Sequence, residues 1–250
     1  MEHEVALFFR DQFRAARATV LRDSEAYEAV VLVLERLGRL HLPQAKGMGP
    51  VKGKLSEVAQ RSALSRGIPA MWPDFHLTFD ALYELVREAR NLAVHEGALA
   101  RHLSSHSLEC ALVLEDALMA NMTTAKDFMV RSPVTASPWQ PLSFVRQIML
   151  MNSFSYLPVQ VPEDEGGAWH FISDVNLARA LRDAGARDQR LAMPLREAIA
   201  TGTIQLHRAK TVETGTTIQS LLGDLNEVPI LVVARNNGEL LGIVTAFDLL

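Results

Sequence analysis

Residues 227–250 read E-V-P-I-L-V-V-A-R-N-N-G-E-L-L-G-I-V-T-A-F-D-L-L, and this stretch decides the fold of half the chain. Two apolar runs, Val228–Ala234 and Leu240–Thr245, have the length and aliphatic content of buried strands. Between them Asn236-Asn237-Gly238 supplies a tight turn, because Asn and Gly tolerate the left-handed backbone a hairpin needs. A helix then begins at Ala246. Working backwards, Lys210–Val212 reads as a further strand and Thr217–Leu222 as a helix.

The same order, β-α-β-β-α, occurs once before. Val134-Thr135 is read as a strand, and Ser137-Pro138-Trp139-Gln140-Pro141 opens a helix running to about Met151. Strand Tyr156–Val161, a polar turn at Glu163–Gly167, strand Ala168–Ser173 and a helix from Asp174 to about Asp183 complete it. Pro158 and Pro229 stand 71 residues apart, Ser173 and Thr245 stand 72 apart, and so do Asn176 and Asp248. A repeat of this length within one chain means two copies of one supersecondary unit sharing a core.

The repeated unit resembles the CBS domain in its tandem form. D-F-M-V-R-S-P-V-T-A-S and S-Y-L-P-V-Q-V carry the resemblance in the first copy. E-V-P-I-L-V-V and G-E-L-L-G-I-V-T-A-F-D-L-L carry it in the second. It covers residues 122–250, divided as 122–190 and 191–250. The resemblance implies that an adenine nucleotide (AMP, ADP or ATP) binds between the copies as a regulatory ligand. It also implies that a Thr or Ser followed three residues later by Asp holds phosphate and ribose. A hydroxyl and backbone amides suit phosphate, and a carboxylate accepts from both ribose hydroxyls. Thr245 and Asp248 match this pair. Ser173 and Asn176 depart from it, since an amide binds ribose less strongly than a carboxylate. The second copy's first helix is also shorter by about a turn. The expectation is one good nucleotide site and one doubtful or empty one, with Glu213, Thr214 and Gly215 near the base. The alternative is a tandem copy kept for dimerisation alone.

Upstream, apolar positions recur at helical spacing. Val5, Leu7, Phe8, Phe13, Ala15 and Ala16 make one series, and Tyr27 through Leu40 a second, with Asp23-Ser24 as break and cap. Pro43 to Gly53 reads as a loop and Leu55–Ser65 as a short helix. Pro73-Asp74 caps the next helix, and a last helix runs from about Ser105 to Asn121. On the helix after Pro73-Asp74, Leu82, Leu85, Val86, Ala89, Leu92 and Ala93 form one apolar sector. Its end carries Arg90-Asn91-Leu92-Ala93-Val94-His95. By helical period Arg90 and His95 lie roughly 140° apart, so one unbroken helix cannot aim both into one pocket. Either the helix ends before His95, which Gly97 allows, or a second chain lends groups. The plain alternative is a helix boundary with a cation near its C-terminus.

The run D-A-L-Y-E-L-V-R-E-A-R-N-L-A-V-H-E-G resembles the signature region of HEPN domains, with its R-N-x-x-x-H pattern. The resemblance implies an all-α bundle over residues 1–121 and a homodimer that brings the Arg and His of two protomers together. It implies a metal-independent endoribonuclease that leaves a cyclic phosphate. Arg90 would stabilise charge, His95 would carry protons and Asn91 would orient substrate or His95. Family members without nuclease activity leave a second reading open, in which the helical half dimerises or binds a protein or RNA. A third makes the CBS-like half a relic beside a constitutive toxin-like nuclease.

Composition bounds these readings. Of 250 residues, 48% are hydrophobic and 22% charged, ordinary for a globular chain, and the net charge is −4. Neither half has the basic excess of a non-specific nucleic-acid binder, so RNA contact must be local and DNA is not expected. Arg39 to Arg66 is the best local candidate, with six Lys or Arg against the single acid Glu57. Gly53-Lys54 ends like a P-loop but is followed by Leu55, where magnesium needs Ser or Thr. His102, His106 and Cys110 are spaced by four, yet no fourth metal ligand accompanies them. A single Cys fits a reducing cytoplasm, and no apolar run reaches the ~18 residues of a membrane span.

Overall fold

Phe9, Phe13, Ala16 and Val20 recur at spacings of three and four, and they emerge on one buried face of helix α1 (His3–Arg22). A computed structural model describes residues 1–93, 100–161, 167–182, 185–226 and 228–250, and for 91–93 and 100–102 the backbone alone. The chain divides into two compact units, Met1–Met122 and Thr123–Leu250.

The first unit is helical. Asp23 breaks the chain after α1, its carboxylate accepting from the Glu25 amide at 3.0 Å. Helix α2 (Glu28–His41) buries Val30, Val31, Leu34 and Leu37. Gly38 lies against Val51 so closely that a Cβ there would stand 2.3 Å from the Val51 Cβ. The expected loop therefore ends early: a 3-10 turn at Gly49–Val51 leads into α3 (Lys52–Ala59). After α4 (Gly67–Met71), helix α5 runs Phe79–Ala93. Its start lies beyond the expected Pro73-Asp74, because Thr78 Oγ1 accepts from the Ala81 amide at 3.3 Å and caps there. Pro73 and Asp74 instead lie in a turn closed by the Phe75 amide on the Trp72 carbonyl. Helix α6 spans Ala100–Met119, so the Ser104–Ser107 cluster is interior rather than a helix start, and His102 lies within the helix. Ser107 Oγ satisfies itself on the Ser104 carbonyl at 2.8 Å. Arg17 forks onto Glu115 at 2.5 and 2.8 Å, tying α1 to α6.

The second unit holds two sheets. Helix α7 (Ala125–Phe128) is fixed by a capping box between Thr124 and Asp127, and strand β1 (Val130–Arg131) follows. Next come α8 (Leu142–Asn152), β2 (Tyr156–Gln160), β3 (Trp169–Ser173) and α9 (Asp174–Ala180). Helices α10 (Arg187–Ala192) and α11 (Leu195–Ala200) lead to β4 (His207–Arg208) and β5 (Lys210–Glu213). Helix α12 (Ile218–Asp224), β6 (Ile230–Val233), β7 (Leu240–Val244) and α13 (Ala246–Leu249) complete the described elements. One sheet has the order β2-β3-β4, the other β1-β7-β6-β5. The hairpin turn forms as its residues require, with Gly238 at φ +67.

Two expectations are corrected. Val134-Thr135 is not a strand; the nearest pairings are β1, four residues earlier, and a single bridge from Ala136 to Val159. The sheets also do not part at 190/191, because each copy completes its sheet with chain from the other stretch. β1 pairs antiparallel with β7, and β4 with β3. The cores follow suit. Leu142, Val145, Leu157, Ile172, Leu195 and Ile204 share one, and Ala125, Met129, Leu221, Ile230 and Val244 the other. The second copy's first helix is shorter, seven residues in α12 against eleven in α8.

Candidate functional site

β7 delivers Thr245 to the first position before α13, and the turn of that helix brings Asp248 back beneath it. The Thr245 amide and Oγ1 both donate to Asp248 Oδ2, at 2.8 and 2.7 Å. Both residues are half-buried and line a cavity of about 620 Å³. Its walls are largely apolar, with Val130, Val134, Tyr156, Pro158, Ile243 and Phe247, and Ser132, Ser153 and Ser155 add hydroxyls. A volume of that size suits a nucleotide-sized molecule, held by apolar walls and oriented by a few polar groups. Glu213, Thr214 and Gly215 do not line this cavity; the Thr214 carbonyl accepts from the Lys126 amide at 3.0 Å.

The first copy presents its pair differently. Ser173 caps α9, accepting from the Asn176 amide at 3.1 Å. Asn176 Nδ2 donates to the Gln205 carbonyl at 2.9 Å and lies 3.1 Å from His207 Nε2. His207 Nε2 is 3.4 Å from Ser173 Oγ, and its ring meets Tyr156 edge-on at 6.1 Å. The two pairs are thus unlike: Thr245 and Asp248 bond each other at the edge of the 620 Å³ cavity, whereas Ser173 and Asn176 also meet His207, and Asn176 lines a separate cavity of about 450 Å³. Sequence reasoning missed His207, and with it Tyr156, which reaches both places. The signal was there only as register: His207 follows Ser173 by 34 residues and sits in no motif.

On the helical unit, Arg90 Nη1 donates to Glu35 Oε1 at 2.7 Å. Glu35 is nearly buried and accepts from Arg39 on its other oxygen at 3.3 Å. A pocket of about 290 Å³ beside Arg90 is lined by Glu28, Leu32 and Glu35, so two carboxylates face the one guanidinium. The nearby Tyr27 hydroxyl is pushed up by burial and by Glu28, with Arg90 opposing. His95 lies outside the described residues, and of Asn91 only the helical backbone is described. In the basic stretch, Arg39, Lys52 and Lys54 are paired with Glu35, Glu84 and Glu57. Among the described residues, no group of three His, Cys, Asp or Glu is placed to hold a metal ion, and no helix is long and apolar enough to cross a membrane.

A search of curated proteins finds no match. Among solved structures, the chain is similar to a CBS domain-containing protein from Bacillus anthracis at 16% identity and TM-score 0.40, covering 51% of this chain and 89% of that one. It is similar to CBSX2 in complex with AMP at 16% identity and TM-score 0.37, covering 50% and 91%. A hexameric CBS-CP12 protein from bloom-forming cyanobacteria is 13% identical with TM-score 0.38, covering 50% and 68%. The family of CBS domains matches residues 125–183, and that segment is a CBS domain.

Proposed function

We propose that the C-terminal unit is a regulatory sensor that binds an adenine nucleotide (AMP, ADP or ATP) at Thr245 and Asp248. The observation that carries this reading is the cavity at that pair: about 620 Å³, apolar-walled, with a carboxylate and hydroxyls at its edge. The Asp248 carboxylate suits two ribose hydroxyls, Thr245 suits phosphate, and the apolar wall suits a purine face. The CBS-domain match at residues 125–183 supports the same ligand class. Calorimetry with AMP, ADP and ATP tests it. Binding by the wild type that falls at least tenfold in Asp248→Ala is expected; no heat from any of the three would sink the reading.

For the helical unit, the reading the geometry favours is non-catalytic: dimerisation, or binding of a protein or RNA partner. Arg90 already holds a carboxylate through Nη1, and a phosphodiester would have to share the guanidinium with Glu35. The competing reading, a metal-independent endoribonuclease formed by Arg90, Asn91 and His95 of two protomers, keeps one observation in its favour. The Arg90 side chain is 38% exposed, so part of the guanidinium remains open to a ligand. RNA cleavage in chelator separates the two. Equal RNA survival with wild type and His95→Ala supports the non-catalytic reading, and cleavage by wild type alone establishes the nuclease.

A further inference from the structure

Val130 and His207 occupy the same place in the two copies. Val130 pairs with Ile243 on β7, and His207 pairs with Phe171 on β3. Phe171 and Ile243 stand 72 residues apart, the spacing that also separates Ser173 from Thr245. In the second copy this place holds a small apolar side chain that forms a wall of the cavity. In the first it holds an imidazole whose Nε2 reaches both members of the polar pair, Asn176 Nδ2 at 3.1 Å and Ser173 Oγ at 3.4 Å. With Nε2 unprotonated it accepts from both, and Gln205 takes the second amide proton of Asn176.

We propose that His207 closes the first copy's site by standing in for a ligand, so that each chain binds one nucleotide and carries a second, latent site. This rests on the nucleotide reading above and adds the residue that fixes the stoichiometry. The physical ground is competition. Ser173 is buried and its hydroxyl is satisfied internally, so a ligand must first break those bonds and expose the groups that made them. Thr245 and Asp248 are bonded to each other as well, but the equivalent Val130 adds no hydrogen bond to that pair, so the imidazole is the added obstacle at the first copy. Discrimination between the two sites is thereby built as an obstacle at one of them. Tyr156 lines the open cavity and packs against His207, which keeps the ring in place from the side of the occupied site.

The test is calorimetric titration of AMP into the full chain as wild type and as His207→Val/Asn176→Asp, which gives the first copy the second copy's valine and carboxylate. One nucleotide per chain is expected for the wild type and two for the double variant, with Asn176→Asp alone remaining at one. Adding Asp248→Ala to the double variant should return it to one. A natively folded double variant that still binds one overturns the proposal, and so does a wild type that binds two. A wild type that gives no heat with AMP, ADP or ATP removes the nucleotide reading itself. Should the double variant not fold, the nitrogen resonances of His207 in the wild type decide. They stay unchanged at saturating AMP if the ring plugs the site, and a change that signals release of Nε2 overturns it.

Discussion

Arg90 on α5 donates to Glu35 on α2 across 55 residues of sequence, at 2.7 Å, and Glu35 is the more buried partner. The pair therefore serves the carboxylate more than the guanidinium. Arg90→Ala should lower stability by about 1 kcal/mol, because Arg39 still covers the other oxygen. Glu35→Gln should cost a similar amount, and the double change Arg90→Ala/Glu35→Gln less than the sum of the two. Urea denaturation of the three variants measures this coupling; strictly additive losses would show that the contact contributes nothing.

Gly38 and Gly242 both sit where a side chain would collide, but the neighbours differ. At Gly38 the added carbon meets the Val51 Cβ at 2.3 Å, an atom fixed to the backbone. At Gly242 the closest atoms are the Met129 Sδ at 2.6 Å and Cγ at 2.8 Å, in an adaptable side chain, and its Cβ stands farther off at 2.9 Å. Alanine in a helix normally gains about 0.5–1 kcal/mol over glycine. Gly38→Ala should nevertheless destabilise, by about 1–3 kcal/mol from overpacking, and by more than Gly242→Ala. Thermal melts of the two variants give the ranking.

Glu84 links pH to stability. The Lys52 ammonium at 2.5 Å holds its carboxyl below the usual range, desolvation opposes this, and Arg87 adds to the lowering. A carboxyl lowered in the folded state contributes stability above its unfolded pKa, about 4.3, and loses it as pH falls through the folded value. Glu84→Gln should thus be less stable than wild type at pH 7, with the difference closing in acid below about pH 4. Urea midpoints at pH 7, 5 and 3 test the sign. A gap that widens in acid would contradict it.

Cys110 is buried, and burial pushes its thiol up, with Glu109 adding to the shift. Its thiolate is accordingly scarce in the native protein. Modification by iodoacetamide at pH 8 should be at least tenfold slower in native protein than in urea-unfolded protein. Mass spectrometry at timed intervals reads the rate, and equal rates would place the thiol at the surface.

The long apolar runs were legible because their burial follows from composition: Ile230–Val233 and Tyr156–Gln160 are strands wherever they find partners. The Asn-Asn-Gly turn was legible because its backbone demands those residues. The two-residue strands β1 and β4 were not, since Val130–Arg131 and His207–Arg208 are extended only by virtue of the strand beside them. Ser104–Ser107 misled because serine caps helices when exposed, yet here it serves as a small residue inside a packed one. At the candidate site, Thr245 and Asp248 were legible through the family resemblance, and both line one cavity. The sequence hid His207 and Glu35, whose roles come from partners 34 and 55 residues away.

The exchange of edge strands between the two sheets has a consequence for how the protein is made. As the chain leaves the ribosome, β1 emerges more than a hundred residues ahead of β7, its pairing partner. A nascent chain can close β2-β3-β4 first and must keep the 123–131 segment waiting until the last hairpin arrives. Cutting the gene between residues 190 and 191 would leave neither fragment self-sufficient, the later one ending in a bare β7 edge ready to recruit any extended peptide it meets.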